Sequence, residues 1–111
     1  MIKYNKLVRD NIPKLIISDG KKPVIRTLNK ETYLIELRKK IVEEAKELNS
    51  AISKEEMIDE LADIYELLDY ILIEEKIDLN LIKKRRILKN MSNGGFDDKV
   101  FLEYVEDIEK A

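Results

Sequence analysis

The chain has 111 residues, of which 40% are charged and 6% are aromatic, and it contains only three glycines and two prolines. This length corresponds to one domain, residues 1–111, and the dominance of Glu, Lys, Leu and Ile favours helices. The chain has no Cys and no His. Disulfides, zinc fingers and His-based catalysis are therefore excluded, and any metal must be bound through oxygen, which suits Mg²⁺, Mn²⁺ or Ca²⁺.

The charge balance and the hydropathy pattern limit the classes of partner that the protein can bind. With 21 basic and 23 acidic residues the net charge is −2, which argues against a binder of nucleic acid polymers. No apolar run approaches the roughly 20 residues that span a bilayer, and "MIKYNKLVRD" lacks the apolar core of a signal peptide. We expect a soluble cytoplasmic protein with no membrane partner. A domain this small buries only about 60–70% of its unfolded surface, so oligomerisation would help it.

The first predicted element is a short helix over residues 10–19. Asp10 can cap it, Pro13 falls in its first turn, where a missing N–H costs little, and Gly20 is a good stop. The next segment, "KKPVIRTLN", holds β-branched residues and a proline, which indicates an extended connector with one short strand.

Two long helices follow, over residues 30–50 and 54–75. Asn29 caps the first, and Ser53 with Glu56 forms a capping box at the start of the second. Each has apolar residues at helical spacing. The predicted core positions are Leu34, Leu37, Ile41, Ala45 and Leu48 on the first helix, and Leu61, Ile64, Tyr65, Leu68, Ile71 and Leu72 on the second.

The last predicted helix begins after Asp78, which can cap it, and runs to about Asn90. The "NGG" at 93–95 ends this helix. The tail, "FDDKVFLEYVEDIEKA", starts with a strand-like alternation and ends in a predicted helical turn.

The stretch "EEAKELNSAISKEEMIDELAD", residues 43–63, is dense in carboxylates with a recurring spacing. Glu44 and Glu47 are three residues apart, as are Glu60 and Asp63. At about 100° per residue, Glu44 lies only about 60° from the centre of the apolar stripe, whereas Glu43 points nearly away from it. The short break makes the two helices antiparallel neighbours with axes about 8–10 Å apart. Carboxylates on their facing edges could therefore meet.

Two interpretations of this stretch remain open on spacing alone. Glu-rich helices are usually solvated faces whose acids pair with nearby lysines, here Lys39, Lys40, Lys46 and Lys54. Alternatively, acids that converge in a half-buried cleft would repel one another unless a divalent cation joined them. Mg²⁺ would suit such a site, because it combines carboxylates with water and substrate phosphates.

The residues also resemble a known family. "EEAKE", twelve further residues and "ELAD" are similar to the E-E-x-x-E…E-x-x-D signature of the all-α nucleoside triphosphate pyrophosphohydrolases, which include MazG-type enzymes. The opening "YNKLVRDNIPKLI" and the closing "KNMSNGGFDDKVFLEYVE" resemble a subgroup described as phosphoribosyl-ATP pyrophosphohydrolase-like. The resemblance covers nearly the whole chain.

This resemblance implies an all-α fold in which antiparallel helices form a four-helix core, completed by a homodimer or a higher homo-oligomer. It implies Mg²⁺-dependent (or Mn²⁺-dependent) cleavage of a nucleoside triphosphate or related nucleotide between the α- and β-phosphates. By motif position, the metal ligands are Glu44, Glu47, Glu60 and Asp63. Glu43 and Glu44 are the candidate catalytic residues, with Glu43 ligating a second ion or orienting the attacking water.

The flanking segments supply candidate substrate-binding residues, which are Lys6, Arg9, Arg86 and Lys89. The alternative for each is a solvent-exposed basic side chain. The chain departs from the subgroup at Asn11, where Lys is usual, and at Asn93, where Arg is usual, which puts one phosphate contact in doubt. No aromatic pattern identifies the base. We expect a house-cleaning role on non-canonical or excess nucleotides; the alternative is a non-catalytic helical dimer that binds nucleotide or metal.

Overall fold

A computed structural model describes residues 1–109 and contains four α-helices. They are α1 (Ile12–Ser18), α2 (Lys30–Ser50), α3 (Lys54–Glu75) and α4 (Leu79–Asn93). No strand forms within residues 1–109, so the fold is all-α, as predicted. The chain divides into two compact units, Met1–Ile77 and Asp78–Ala111. None of the helices in the described residues is both long enough and apolar enough to cross a bilayer.

Helix α1 starts later than predicted. Asp10 does not cap it; Asn11 occupies the N-cap position without a side-chain capping bond. A cap at Asp10 would accept from the N–H groups two and three residues on. Pro13 has no N–H, and the N–H of Ile12 already donates to the carbonyl oxygen of Arg9 at 3.1 Å. The stop at Gly20 is where we predicted it, with a φ of +78° that a glycine adopts without strain.

Helices α2 and α3 have the predicted bounds because their caps form locally. The side-chain oxygen of Asn29 accepts from the N–H of Thr32 at 2.9 Å, and Ser53 Oγ accepts from the N–H of Glu56 at 3.1 Å. The Glu56 carboxylate in turn accepts from the N–H of Ile52 at 2.9 Å. Glu56 is thereby committed to capping. The two helices pack against each other across a three-residue break, residues 51–53.

The packed face of this helical hairpin is narrow. Leu37 on α2 and Leu67 on α3 are the buried apolar side chains within residues 1–109. Leu67 was missing from the predicted stripe on α3. The predicted positions Leu61, Tyr65 and Leu68 are 42%, 70% and 44% exposed. The prediction assumed that one wide apolar stripe faces the partner helix, whereas a single helix–helix contact covers only part of it.

The second unit begins at Asp78, whose carboxylate caps α4 by accepting from the N–H of Asn80 at 2.9 Å. Helix α4 runs to Asn93, three residues beyond the predicted end at Asn90, and stops at Gly94, where φ is +80°. Gly94 therefore supplies the backbone conformation that ends the helix.

The predicted strand in the connector, residues 21–29, and the strand-like start of the tail were wrong. Both segments lack strand structure, since an isolated extended segment without a hydrogen-bonded partner strand is not stable. The helical turn predicted at the end of the tail does not form through residue 109. Its last two positions, 110 and 111, lie outside the described residues.

Candidate metal centre

Two groups of carboxylates meet on the hairpin and share Glu44. Glu44 on α2 forms one group with Glu60 and Asp63 on α3, and a second group with its neighbours Glu43 and Glu47. Within each group, one oxygen from every residue lies within 4.8 Å of the others. Residues three apart share a helix face, and the α2–α3 contact brings the two faces together. We call these five residues the acidic cluster.

The acidic cluster contains two buried oxygens without a hydrogen-bond donor. Glu44 is only 6% exposed, and Oε2 of Glu44 and Oε2 of Glu60 are buried and have no hydrogen-bond partner. Leaving a buried polar group unsatisfied costs about 1–3 kcal/mol, and more for a charged one. A divalent cation would satisfy both oxygens. The donor set is entirely carboxylate, which fits Mg²⁺ or Mn²⁺.

Burial and the crowding of carboxylates in the acidic cluster raise the pKa values of Glu44 and Glu60. Burial raises the pKa of Glu44 to about 8, and the close carboxylates of Glu60, Glu47 and Asp63 add to the effect. For Glu60, the close approach of Glu44 lowers the pKa, but desolvation, Glu47 and Asp63 outweigh this effect and the net shift of the pKa is upward. Crowding and desolvation therefore favour the neutral form of Glu44 when no cation is bound.

Basic side chains from the N-terminal segment contact the acidic cluster. Arg9 donates to Asp63 Oδ1 at 2.7 Å and to Glu66 Oε2 at 3.3 Å, and the hydrogen bond to Asp63 raises the pKa of Arg9. Lys6 donates to Glu43 Oε1 at 3.3 Å. Segment 1–11 therefore lies against the helical hairpin, although neither Lys6 nor Arg9 is buried.

Lys40, one turn before Glu43 on α2, reaches the other oxygen of the Glu43 carboxylate at 3.8 Å. Glu43 is thus held by two ammonium groups. Sequence reasoning missed Glu66 as a neighbour of the cluster, and it named Lys40 only as a lysine that could pair with acids on a solvated face. Their helical spacing from Glu43 and Asp63 was the available signal, since each lies three residues from its partner.

The remaining two predicted substrate-binding residues lie on α4. Arg86 and Lys89 are both exposed there and belong to the unit Asp78–Ala111. The structure therefore brings Lys6 and Arg9 to the acidic cluster, and it places Arg86 and Lys89 on a separate compact unit.

The fold and the cluster together define a class: an all-α protein with an oxygen-only site, suited to a divalent cation, on a helical hairpin. A family model described as phosphoribosyl-ATP pyrophosphohydrolase matches residues 17–85. The matched region contains α2, α3 and the whole acidic cluster and covers more than half of the chain, and the chain belongs to this family. The family resemblance predicted from the sequence is thereby confirmed, and it supports a hydrolase of the pyrophosphohydrolase kind.

A curated relative also matches the chain. An uncharacterized protein from Mycolicibacterium smegmatis (strain ATCC 700084 / mc(2)155) is 46% identical over 50 residues, which are 45% of this chain and 51% of the relative. The match thus spans about half the length of that relative. No solved structure matched the chain.

Proposed function

We propose that the protein is a Mg²⁺-dependent nucleotide pyrophosphohydrolase. It adds water to the α-phosphorus of a nucleoside triphosphate, breaks the bond from that phosphorus to the bridging oxygen, and releases a nucleoside monophosphate and pyrophosphate. Membership of the family supports the reaction class. The single observation that carries the proposal is the pair of buried, unpartnered oxygens of Glu44 and Glu60 inside a group of converging carboxylates.

Four residues are proposed to hold the ion, namely Glu44, Glu47, Glu60 and Asp63. All four lie on the packed hairpin, so the cluster is largely built before any ion binds. Preformed ligands lower the ordering cost of binding. When bound, a divalent cation lowers the pKa of coordinated water and neutralises charge on phosphate oxygens. Mn²⁺ is expected to substitute, because it accepts the same oxygen ligands.

Glu43 is proposed to accept the proton from the attacking water. Its carboxylate lies at the border of the cluster, partly exposed, and is oriented by Lys6 at 3.3 Å and Lys40 at 3.8 Å. These two contacts orient the carboxylate, and a general base must lie within reach of the water that it deprotonates. Glu44, which is buried and faces Glu60, is better placed to bind the ion than to shuttle protons.

Lys6 and Arg9 are proposed to bind the polyphosphate, and Arg86 and Lys89 on the other unit are also proposed as substrate-binding residues. Lys6 and Arg9 are both exposed, and both pair with acids of the hairpin. Guanidinium and ammonium groups exchange readily between carboxylate and phosphate partners at exposed sites, where an ion pair is worth at most about 1 kcal/mol. Their present partners therefore do not prevent phosphate binding.

The proposal includes a homodimeric or higher homo-oligomeric state, a cytoplasmic location and a house-cleaning role on non-canonical or excess nucleotides. Oligomerisation is supported by the apolar side chains exposed on α3, including Leu61, Tyr65 and Leu68. A contiguous exposed apolar surface is typical of a protein interface.

The test is pyrophosphate release from a panel of nucleoside triphosphates, non-canonical forms and phosphoribosyl-ATP included, with and without Mg²⁺. Turnover should require Mg²⁺ and should fall by at least about 100-fold in Glu44→Gln and Asp63→Asn. Asp59→Asn is the matched control, because Asp59 is an exposed carboxylate on α3 outside the cluster. If folded wild-type protein releases no pyrophosphate from any substrate, a module that binds nucleotide or metal without turnover replaces the enzyme.

A further inference from the structure

A cavity of about 200 Å³ lies between the N-terminal segment and α2, next to the acidic cluster. Its lining is Asn5, Lys6, Leu7, Glu36, Lys39, Lys40 and Glu43. Three ammonium groups face two carboxylates, which leaves one net positive charge in the cavity. The cluster beside it is composed of carboxylates. The two sites therefore favour opposite kinds of ligand although they adjoin.

Glu43 joins the two sites. Its carboxylate belongs to the group it forms with Glu44 and Glu47, and it also lines the cavity, where Lys6 and Lys40 contact it. A polyphosphate held through a cation at the acidic cluster can therefore reach the cavity with its next phosphates. This is the order of parts in a nucleoside triphosphate whose α-phosphate is attacked.

We propose that the cavity is the subsite for the leaving pyrophosphate, and that Lys39 and Lys40 bind its phosphate oxygens together with Lys6. This inference rests on the proposed function, which supplies the leaving group. A lysine ammonium binds phosphate as a point charge with three donors. Positive charge at this position favours departure of pyrophosphate, because the leaving oxygen gains negative charge as the bond breaks.

The ion pairs of Lys39 and Lys40 are weak enough to allow reversible phosphate binding. Lys40 is held on the α2 surface with 19% of its side chain exposed and contacts Glu43 only at 3.8 Å. Lys39 is 69% exposed and pairs with Glu36 at 3.4 Å. Both ion pairs are long, so a phosphate oxygen can compete for the ammonium groups.

Binding of inorganic pyrophosphate to the full chain with Mg²⁺, measured by calorimetry, tests the subsite without requiring turnover. Lys39→Ala and Lys40→Ala should each raise the Kd for pyrophosphate about tenfold or more. Their Kd for a nucleoside monophosphate should stay within about twofold of wild type. Lys46→Ala is the matched control, because Lys46 is an exposed lysine of α2 that does not line the cavity.

The outcomes separate this inference from the proposed function. Three results would overturn the subsite. They are an unchanged Kd for pyrophosphate in both variants, an equal loss of pyrophosphate affinity in Lys46→Ala, and no pyrophosphate binding by the wild-type protein. Turnover of a triphosphate alongside any of these results leaves the hydrolase standing without it. If pyrophosphate binding depends on the lysines but no triphosphate is turned over, the cavity binds pyrophosphate and the proposed hydrolase activity is overturned. If Lys40→Ala does not fold by circular dichroism, Lys39→Ala and Lys40→Gln give the same decision.

Discussion

Arg9 donates to Asp63 at 2.7 Å, the shortest ion pair of the described chain, and the same guanidinium reaches Glu66 one turn further along α3. The first bond holds the Asp63 carboxylate from outside the acidic cluster, and the second orients the guanidinium. Besides its proposed contact with phosphate, Arg9 therefore orients Asp63 before substrate binds, as the outer hydrogen-bond partners of metal ligands do in many metal sites.

Removing Arg9 should therefore weaken function more than stability. We expect Arg9→Ala to lower kcat/KM by about 10–100-fold, while the free energy of unfolding falls by less than about 1 kcal/mol, because both ion pairs are exposed. Arg9→Lys should recover only part of the activity, since an ammonium cannot reach two carboxylates as a planar fork does. Steady-state kinetics and urea denaturation measure the two effects.

Arg26→Ala is the control for a general loss of positive charge, because Arg26 is exposed in the connector between α1 and α2. Equal activity losses in the Arg9 and Arg26 variants would remove the positioning role of Arg9. So would full rescue of activity by Arg9→Lys.

Glu44 gives a second prediction, on the coupling of metal binding to stability. Wild-type protein should gain about 2.7 kcal/mol of unfolding free energy when Mg²⁺ is present at about 100 times its Kd. Glu44→Gln should lose this gain. Without metal, the same variant should be more stable than wild type at pH 8 by about 1–2 kcal/mol, because it replaces a buried carboxylate by an amide that can donate to Glu60 Oε2.

Chemical denaturation of both proteins in chelator and in excess Mg²⁺ measures these two changes, with Asp59→Asn as the exposed control. A Mg²⁺ response in Glu44→Gln equal to that of wild type would exclude Glu44 as a ligand. If Glu44→Gln is less stable than wild type without metal, the Glu44 carboxylate is favourable in the metal-free protein, against the prediction.

The metal-free protein should also lose stability as the pH rises. The pKa of Glu44 is about 8 in the folded protein against an ordinary value of 4.5, so between these pH values the folded state holds a proton that the unfolded state has released. The free energy of unfolding then falls by at most about 1.4 kcal/mol per pH unit across this window and levels off above it. Below pH 4.5 both states are protonated and Glu44 contributes no slope.

Urea denaturation at several pH values between 5 and 8.5, with chelator present, follows this slope. Glu44→Gln should flatten it, since the variant has no proton to release there. Excess Mg²⁺ should flatten it too, because a bound cation displaces the proton. A wild-type slope that persists in Glu44→Gln would assign the titration to another group.

Local interactions explain why much of this fold was predictable from the sequence. The caps at Asn29, Ser53 and Asp78 each depend on residues two or three positions away, so the helix starts were correctly predicted. The helical period placed Glu44 near the apolar stripe, and the structure buries it there. The cap at Asp10 failed because of Pro13, whose missing N–H is itself visible in the sequence.

Contacts between distant residues were not predictable in the same way. Lys6 and Glu43 are 37 residues apart and Arg9 and Asp63 are 54 apart, and no periodicity links such pairs. Segment 1–11 has no regular structure from which its direction could be inferred. The phase of the packed face on α3 was also uncertain, because apolar residues cover more than one face of that helix and only Leu67 is fully packed.

The apolar side chains left exposed on α3 give the last prediction, on oligomeric state. In the described chain Leu61, Tyr65 and Leu68 are 42–70% exposed and lie at helical spacing on one flank. Burying them between two copies of the chain would stabilise a dimer, since each fully buried apolar side chain contributes about 1.5–3 kcal/mol. Sedimentation equilibrium should therefore give about twice the chain mass of 13.1 kDa.

Leu68→Glu should shift the dimerisation equilibrium toward the monomer, because it places a charge in the interface. Glu75→Lys, at the exposed end of α3, should leave it unchanged. A wild-type protein that sediments as a monomer, or a dimer indifferent to Leu68→Glu, would mean that this flank is not the subunit interface.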